Sequence, residues 1–159
     1  MFVGALLAVL PILASATVVP RQSAPFGRLH PIDNQDLCVA AASQAAGAQV
    51  SLVNCHASSD AASALELWNI TTSGSFINTY ISLQSDATLC LSGTNAALAG
   101  GHYELQKCSR DATRVQMIGR SPEGFMEFAD MYCMNKKSDT ELDIQDCWSM
   151  KDSLKFYAS

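Results

Sequence analysis

A chain of 159 residues is long enough for one domain with a substantial core and too short for two ordinary ones. Its formal net charge of −5 and pI near 5.0 exclude the basic field on which nucleic-acid or anionic-membrane binding depends. The single adjacent cationic pair, Lys136-Lys137, reads as a solvated loop.

The first sixteen residues carry an apolar run, Phe2 to Leu13, closed by Ala14-Ser15-Ala16, the small-x-small pattern of a signal-peptidase site. Residues 1–16 are therefore expected to be a secretory leader, since the run is shorter than the ~20 residues that span a bilayer. Thr17 to Pro25 has two prolines and little periodicity and reads as a flexible N-terminal segment ahead of a domain over residues 26–159. Export changes how the six cysteines read, because an even count is then most simply three disulfides. Zinc is the rival reading, but there is no Cys-x-x-Cys and His30, His56 and His102 stand at unrelated places, so neither metal nor cofactor is expected. Asn69-Ile70-Thr71 is an N-glycosylation acceptor at Asn69.

The cysteines also serve as a ruler for internal repeats. The spacing of Cys38 and Cys55 is echoed by Cys90 and Cys108 and by Cys133 and Cys147, with copies roughly 40 to 53 residues apart. An apolar residue precedes each first cysteine (Leu37, Leu89, Tyr132) and another follows it (Val39, Leu91, Met134). Before each second cysteine runs a period-two alternation, which predicts strands with Val50/Leu52, Tyr103/Leu105 and Leu142/Ile144 on a buried face. A third element closes each copy: Glu66-Leu67-Trp68, Arg114-Val115-Gln116 and Leu154-Lys155-Phe156. The second copy thus has Gln116 where a large apolar residue is expected, and should be the least regular. Between copies, Ser73 to Ile77 and Ser121 to Met126 read as a Gly-bearing turn followed by a strand. Ala40 to Ala46 has high helix propensity, but its equivalents in the other copies are loop-like, so the repeat overrides it.

Cysteine, apolar residue, Gly-bearing loop, alternating strand, cysteine and a Gln-x-Trp-like triplet, three times over, resembles the ricin B-chain-like (R-type) lectin family across about Phe26 to Ser159. The resemblance implies an all-β chain, a β-trefoil of three repeats with about twelve short strands, six in a short barrel and six capping it. It also implies one disulfide per repeat, Cys38 to Cys55, Cys90 to Cys108 and Cys133 to Cys147, each worth on the order of 3 kcal/mol in the chain-entropy model. Trp68 and Phe156 are then core residues.

A functional copy of that family carries an Asp two residues after the first cysteine, to accept from vicinal sugar hydroxyls, and an outward aromatic before the second, to stack on the sugar ring. Here Ala40, Ser92 and Asn135 occupy the acid position and Val53, Gln106 and Gln145 the platform position. The third copy is nearest to competence, with Asn135, Asp143, Gln145 and Trp148 as candidate carbohydrate-binding residues. Asn135 has a loop-capping alternative. Trp148 either stacks on a sugar or packs on its neighbouring disulfide. No nucleophile elbow, His-Glu-x-x-His or phosphate loop is present, and Glu141 with Asp143 alternate as on a solvated strand face, so no enzyme is expected.

The expected function is a secreted, extracellular glycan-binding module, its activity weak or altered. The alternative is a protein-binding β-trefoil, a protease inhibitor or secreted effector without lectin activity. Mass mapping of proteolytic fragments from the oxidised protein should yield only the three within-copy bridges, and a bridge between copies would overturn the repeat.

Overall fold

The computed structural model describes residues 25–70, 74–94, 99–128 and 131–159, apart from the side chains of Asn78 and Thr113. The leader expected at 1–16 and nearly all of the segment 17–25 lie outside them. Fourteen short strands follow in chain order among the described residues: β1 (Phe26–Gly27), β2 (Leu29–Pro31), β3 (Leu37–Ala41), β4 (Gln49–Asn54), β5 (Trp68–Asn69), β6 (Phe76–Tyr80), β7 (Ser82–Leu83), β8 (Leu89–Gly93), β9 (Tyr103–Lys107), β10 (Met117–Arg120), β11 (Met126–Phe128), β12 (Tyr132–Lys136), β13 (Leu142–Asp146) and β14 (Phe156–Ala158). β1 and β2, like β6 and β7, are one strand interrupted at a single residue, so the fourteen segments amount to twelve strands.

The alternating runs form three hairpins, β3 with β4, β8 with β9 and β12 with β13. Their register is the same in every copy: the first cysteine faces the residue two before the second, as Cys38↔Val53, Cys90↔Gln106 and Cys133↔Gln145. The second cysteine lies just past its strand, where its N–H donates to Asp36 O, Thr88 O or Met131 O. This brings the Cα atoms to 5.0, 5.0 and 5.1 Å, and all three within-copy disulfides form. The alternation then buries Val50, Leu52, Tyr103, Leu105, Leu142 and Ile144, as the period requires. Ala40 and Ala41 extend β3, and the rest of the Ala-rich stretch is a loop turned by Gly47 at φ 84°.

The remaining strands close a six-stranded barrel. β5 pairs with β1 and β7, β10 with β6 and β11, and β14 with β2, while a Phe125↔Lys155 bridge joins the last copy to itself. Closure leaves the barrel no free edge. Leu29, Ile81 and Met126 are wholly buried, one from each copy. The turns that enter β6 and β11 carry Gly74 at φ 73° and Gly124 at φ 97°, as the Gly-bearing segments predict; Ser73 lies outside the described residues.

The barrel register corrects one expectation. Trp68 faces Leu83 and Phe156 faces Pro31, and the residue that stands in this place in the second copy is Ile118, facing Phe128. The triplet of that copy is therefore Gln116-Met117-Ile118, two residues later than Arg114-Val115-Gln116. Gln116 is not a polar intruder at an aromatic site; Ile118 fills it and is fully buried. The expected irregularity is instead a register shift between Ile118 and Arg120, where β10 meets β6.

With that alignment, Glu66, Gln116 and Leu154 hold one position in three chemistries, all buried. Gln116 accepts from Ser109 N–H at 2.9 Å and donates to Lys107 O at 3.0 Å, which ties the chain after the second cysteine to the barrel. Glu66 accepts the matching bond from His56 N–H at 3.0 Å but has no proton to donate. Arg28 supplies the missing donor, to His56 O at 2.7 Å, and its Nε lies 3.1 Å from Glu66 Oε2, an ion pair without a well-aligned hydrogen bond. The His56 imidazole Nδ1 also bonds Glu66 Oε1. Leu154 dispenses with polarity and packs on Phe125, Cys133 and Cys147. Removing one partner of a buried ion pair typically costs about 3 kcal/mol or more. Glu66→Ala should accordingly lower unfolding stability by about that amount in urea titration, and Glu66→Gln by distinctly less, since the amide keeps the bond to His56.

Candidate carbohydrate-binding face

The outward face of the third hairpin carries the strongest polar cluster of the three. Register pairs Asn135 on β12 with Asp143 on β13, and the period of two sets Gln145 on the same face as Asp143. Asn135 Nδ2 donates to Asp143 Oδ1 at 2.6 Å, and Gln145 Nε2 donates to Asp143 Oδ2 at 2.8 Å. Two amides thus hold the carboxylate in one orientation, and each oxygen keeps further acceptor capacity. The carboxylate thus stands directly across the hairpin from Asn135, the position two residues after the first cysteine.

These three residues line a cleft of about 300 Å3, rimmed by Lys136, Lys137 and Lys151. Lys136 bonds Asp139 at 2.9 Å and Asp33 at 3.1 Å, and these acids, Asp139 first, hold its ammonium above the ordinary lysine value. Lys137 pairs with Glu141 at 3.0 Å. Elsewhere in the molecule the fully buried Tyr103 keeps a hydroxyl without a hydrogen-bond partner among the described residues; burial first, and the charge of Asp143 second, push that phenol well above its ordinary range.

The same face weakens from copy to copy. In the second, Gln106 donates to Glu104 at 2.9 Å, but Ser92 stands opposite Glu104 in place of an amide. In the first, Ala40 faces Ser51 beside Val53, so neither the amide nor the carboxylate of the third copy has a counterpart there. Trp148 is placed apart from the cluster. Asp146 caps the turn Cys147–Ser149 by accepting from Trp148 N–H at 2.8 Å, and the indole Nε1–H points to Met131 Sδ at 3.0 Å, so the 72% exposed ring lies at the base of the hairpin outside the cleft. Asn69 lies in β5 with its amide donating to Ser82 Oγ at 2.9 Å and Leu83 O at 3.3 Å, bonds that a glycan on Nδ2 would disturb; Thr71 of its sequon lies outside the described residues.

Among the described residues, one His/Cys group has ligand-like proximity: His30 Nδ1 is 3.8 Å from Cys38 Sγ and 3.6 Å from Cys55 Sγ. Those sulfurs are bonded to each other, and His30 Nδ1 is 2.9 Å from Leu37 O, to which it donates, so the donor set does not suit a cation while the bridge is intact. Burial lowers the His30 pKa from 6.5, and Arg28 adds to this; backbone carbonyls of Leu37 and Gln35 and the Glu66 carboxylate oppose it.

The sequence matches no family model and no curated protein. Among solved structures, the chain is similar to the β-trefoil lectin of the Vibrio vulnificus hemolysin/cytolysin with N-acetyl-D-lactosamine bound, at TM-score 0.64 and 14% identity over 84% of this chain and 93% of that one. A mosquitocidal holotoxin aligns at TM-score 0.57 and 14% identity, over 86% of this chain but only 17% of the toxin. At these identities the likeness defines the fold alone: the chain is a β-trefoil, built of the three disulfide-bearing repeats described above.

The His30 shift has a sign that can be checked. With the folded-state pKa below 6.5, the unfolded chain takes up the proton first, so stability should fall as pH drops through about 6.5 and level off once the folded form is protonated too. Urea midpoints at pH 7.5 and 5.5 should differ more for the parent than for His30→Gln, and equal differences would exclude His30 as the source.

Proposed function

We propose that this protein is an extracellular carbohydrate-binding module whose working face is the hairpin of β12 and β13. The observation that carries the reading is the Asp143 carboxylate held by Asn135 and Gln145 over a cleft. A fixed carboxylate flanked by amides accepts from adjacent hydroxyls of a sugar while the amides contribute their remaining groups, which is the pattern vicinal hydroxyls require. Three disulfides and the expected leader support an extracellular setting. Val53, Gln106 and Gln145 in place of an aromatic platform favour weak binding, because the ring faces of a sugar gain no flat apolar partner there.

A second reading, a protein-binding trefoil such as a protease inhibitor or secreted effector, draws support from a different surface. Trp148, Met131 and Met150 are 72%, 54% and 64% exposed and stand close together around the third disulfide. Exposed aromatic and Met side chains of this kind are enriched at protein interfaces.

A glycan array probed with the disulfide-intact protein distinguishes the two. The lectin reading expects at least one glycan to bind, with Asp143→Ala and Asn135→Ala each weakening it about tenfold or more, since a hydrogen bond to a charged group is worth about 1.5–3 kcal/mol. Silence across the array would sink it and leave the protein-binding reading.

A further inference from the structure

A second cleft, of about 460 Å3, lies where the turn Ser121–Gly124 between the second and third copies meets Gly74 and Ser75 and the start of β14. It shares no lining residue with the hairpin cleft. Its distinctive wall is Arg120, the last residue of β10. Register places Arg120 two residues beyond Ile118, as Ile70 stands two beyond Trp68 and Ala158 two beyond Phe156. Ile70, Arg120 and Ala158 are all buried, at 3%, 6% and 8% exposure, so one copy sets a guanidinium where the other two set apolar groups.

Among the described residues the guanidinium is held by a carbonyl and an aromatic ring. Its Nε donates to Gly74 O at 3.0 Å and Nη2 donates to the same oxygen, while its carbon stands 5.5 Å from the centre of the Phe76 ring. Among the described residues no carboxylate lies within ion-pair distance of it. Burial lowers its pKa, the mark of a charge placed against its own solvation. Nη1 and the second N–H of Nη2 form a parallel pair of donors with no acceptor among the described residues, the fork that matches a carboxylate. The hydroxyls of Ser75 and Ser121 and the phenol of Tyr157 line the same cleft beside the apolar Ile32. The Tyr157 ring is itself held by stacking on His30 at 4.9 Å.

We propose that this cleft is a second binding site, for the carboxylate of an acidic saccharide. Arg120 takes the carboxylate on its parallel donors, Ser75 and Ser121 meet ring hydroxyls, and Tyr157 and Ile32 offer the apolar wall that a sugar's C–H face prefers. The cleft volume falls within the range of small-molecule sites. One group opposes the ligand: Glu123 also lines the cleft, and its hydrogen bond to Ser121, with lesser help from its own backbone and Lys155, keeps it ionised to lower pH than usual. Glu123 therefore tempers affinity for any anion and sharpens the choice in favour of a ligand that also brings hydroxyls for Ser75 and Ser121.

The test is calorimetric titration with sodium glucuronate, glucose and an acidic tripeptide, together with NMR mapping of perturbed resonances. Glucuronate should bind at one site, shifting the Arg120 side-chain and Tyr157 signals, with glucose and the tripeptide each about tenfold weaker or undetected. Arg120→Ile restores the apolar residue type of the other copies, so it should fold with an equal or higher melting temperature. It should also lose at least about tenfold in glucuronate affinity. Should that variant fail to fold, Arg120→Lys, which keeps the charge without the parallel donors, should weaken glucuronate in the same sense. Glu123→Gln should tighten it severalfold. Unchanged glucuronate binding by a folded Arg120 variant, no binding by the parent, or equal binding of the tripeptide would each overturn the proposal.

Discussion

Everything in this molecule depends on the register of three hairpins. A strand shifted by one residue against its neighbour would turn every inward side chain outward. Each hairpin avoids that through a covalent bridge whose two cysteines are offset by the same number of residues in all three copies. Once Cys133 faces Gln145, Met134 must face Ile144 in the core, and Asn135 must face Asp143 at the surface. The bridges thus fix the core and the candidate site in a single step, and the barrel strands have only to close beneath them.

The third element of each copy shows how loosely the repeat constrains chemistry once geometry is secured. Glu66, Gln116 and Leu154 occupy one buried position, and each satisfies it differently: an ion pair with Arg28 and a hydrogen bond with the His56 ring, two neutral hydrogen bonds, or apolar packing. In each case the buried side chain at this position meets a partner suited to it. Arg120 is met differently: among the described residues its charge faces a carbonyl and an aromatic ring. The two polar surfaces of the molecule differ accordingly. On the hairpin face a carboxylate is oriented by neutral amides, whereas in the inter-copy cleft a cation is oriented by a carbonyl. In the two readings proposed above, the first would meet sugar hydroxyls and the second an acid group.

Much of this was legible in the residue string. The six cysteines and the alternating runs located the hairpins and their buried faces, and the equivalence of copies overruled the helix propensity of Ala40 to Ala46. The triplet of the second copy was misplaced by two residues, because Ile118 carries no aromatic signature; a search anchored on the glutamine in place of the aromatic would have found Gln116-Met117-Ile118. Of the candidate site residues, the structure brings Asn135, Asp143 and Gln145 together and leaves Trp148 apart, and the bonds among the first three could not be read from the string. In the string Asn135 stands where the resemblance calls for an acid, and only the cross-strand pairing shows that the Asp143 carboxylate lies beside it. Trp148 sits one residue from Cys147 and three from Gln145, yet its indole bonds Met131 and it lies outside the cleft that Gln145 lines.

The sequence by itself determined the threefold repeat and which face of each hairpin is buried, because those follow from local spacing and period, while the pairing of the bridges was implied by the resemblance. Tertiary structure alone decided which polar groups meet. Arg28 reaches Glu66, and Arg120 reaches Gly74, across 38 and 46 positions of chain. Barrel closure brings such partners together, and no local pattern encodes a contact between side chains so far apart.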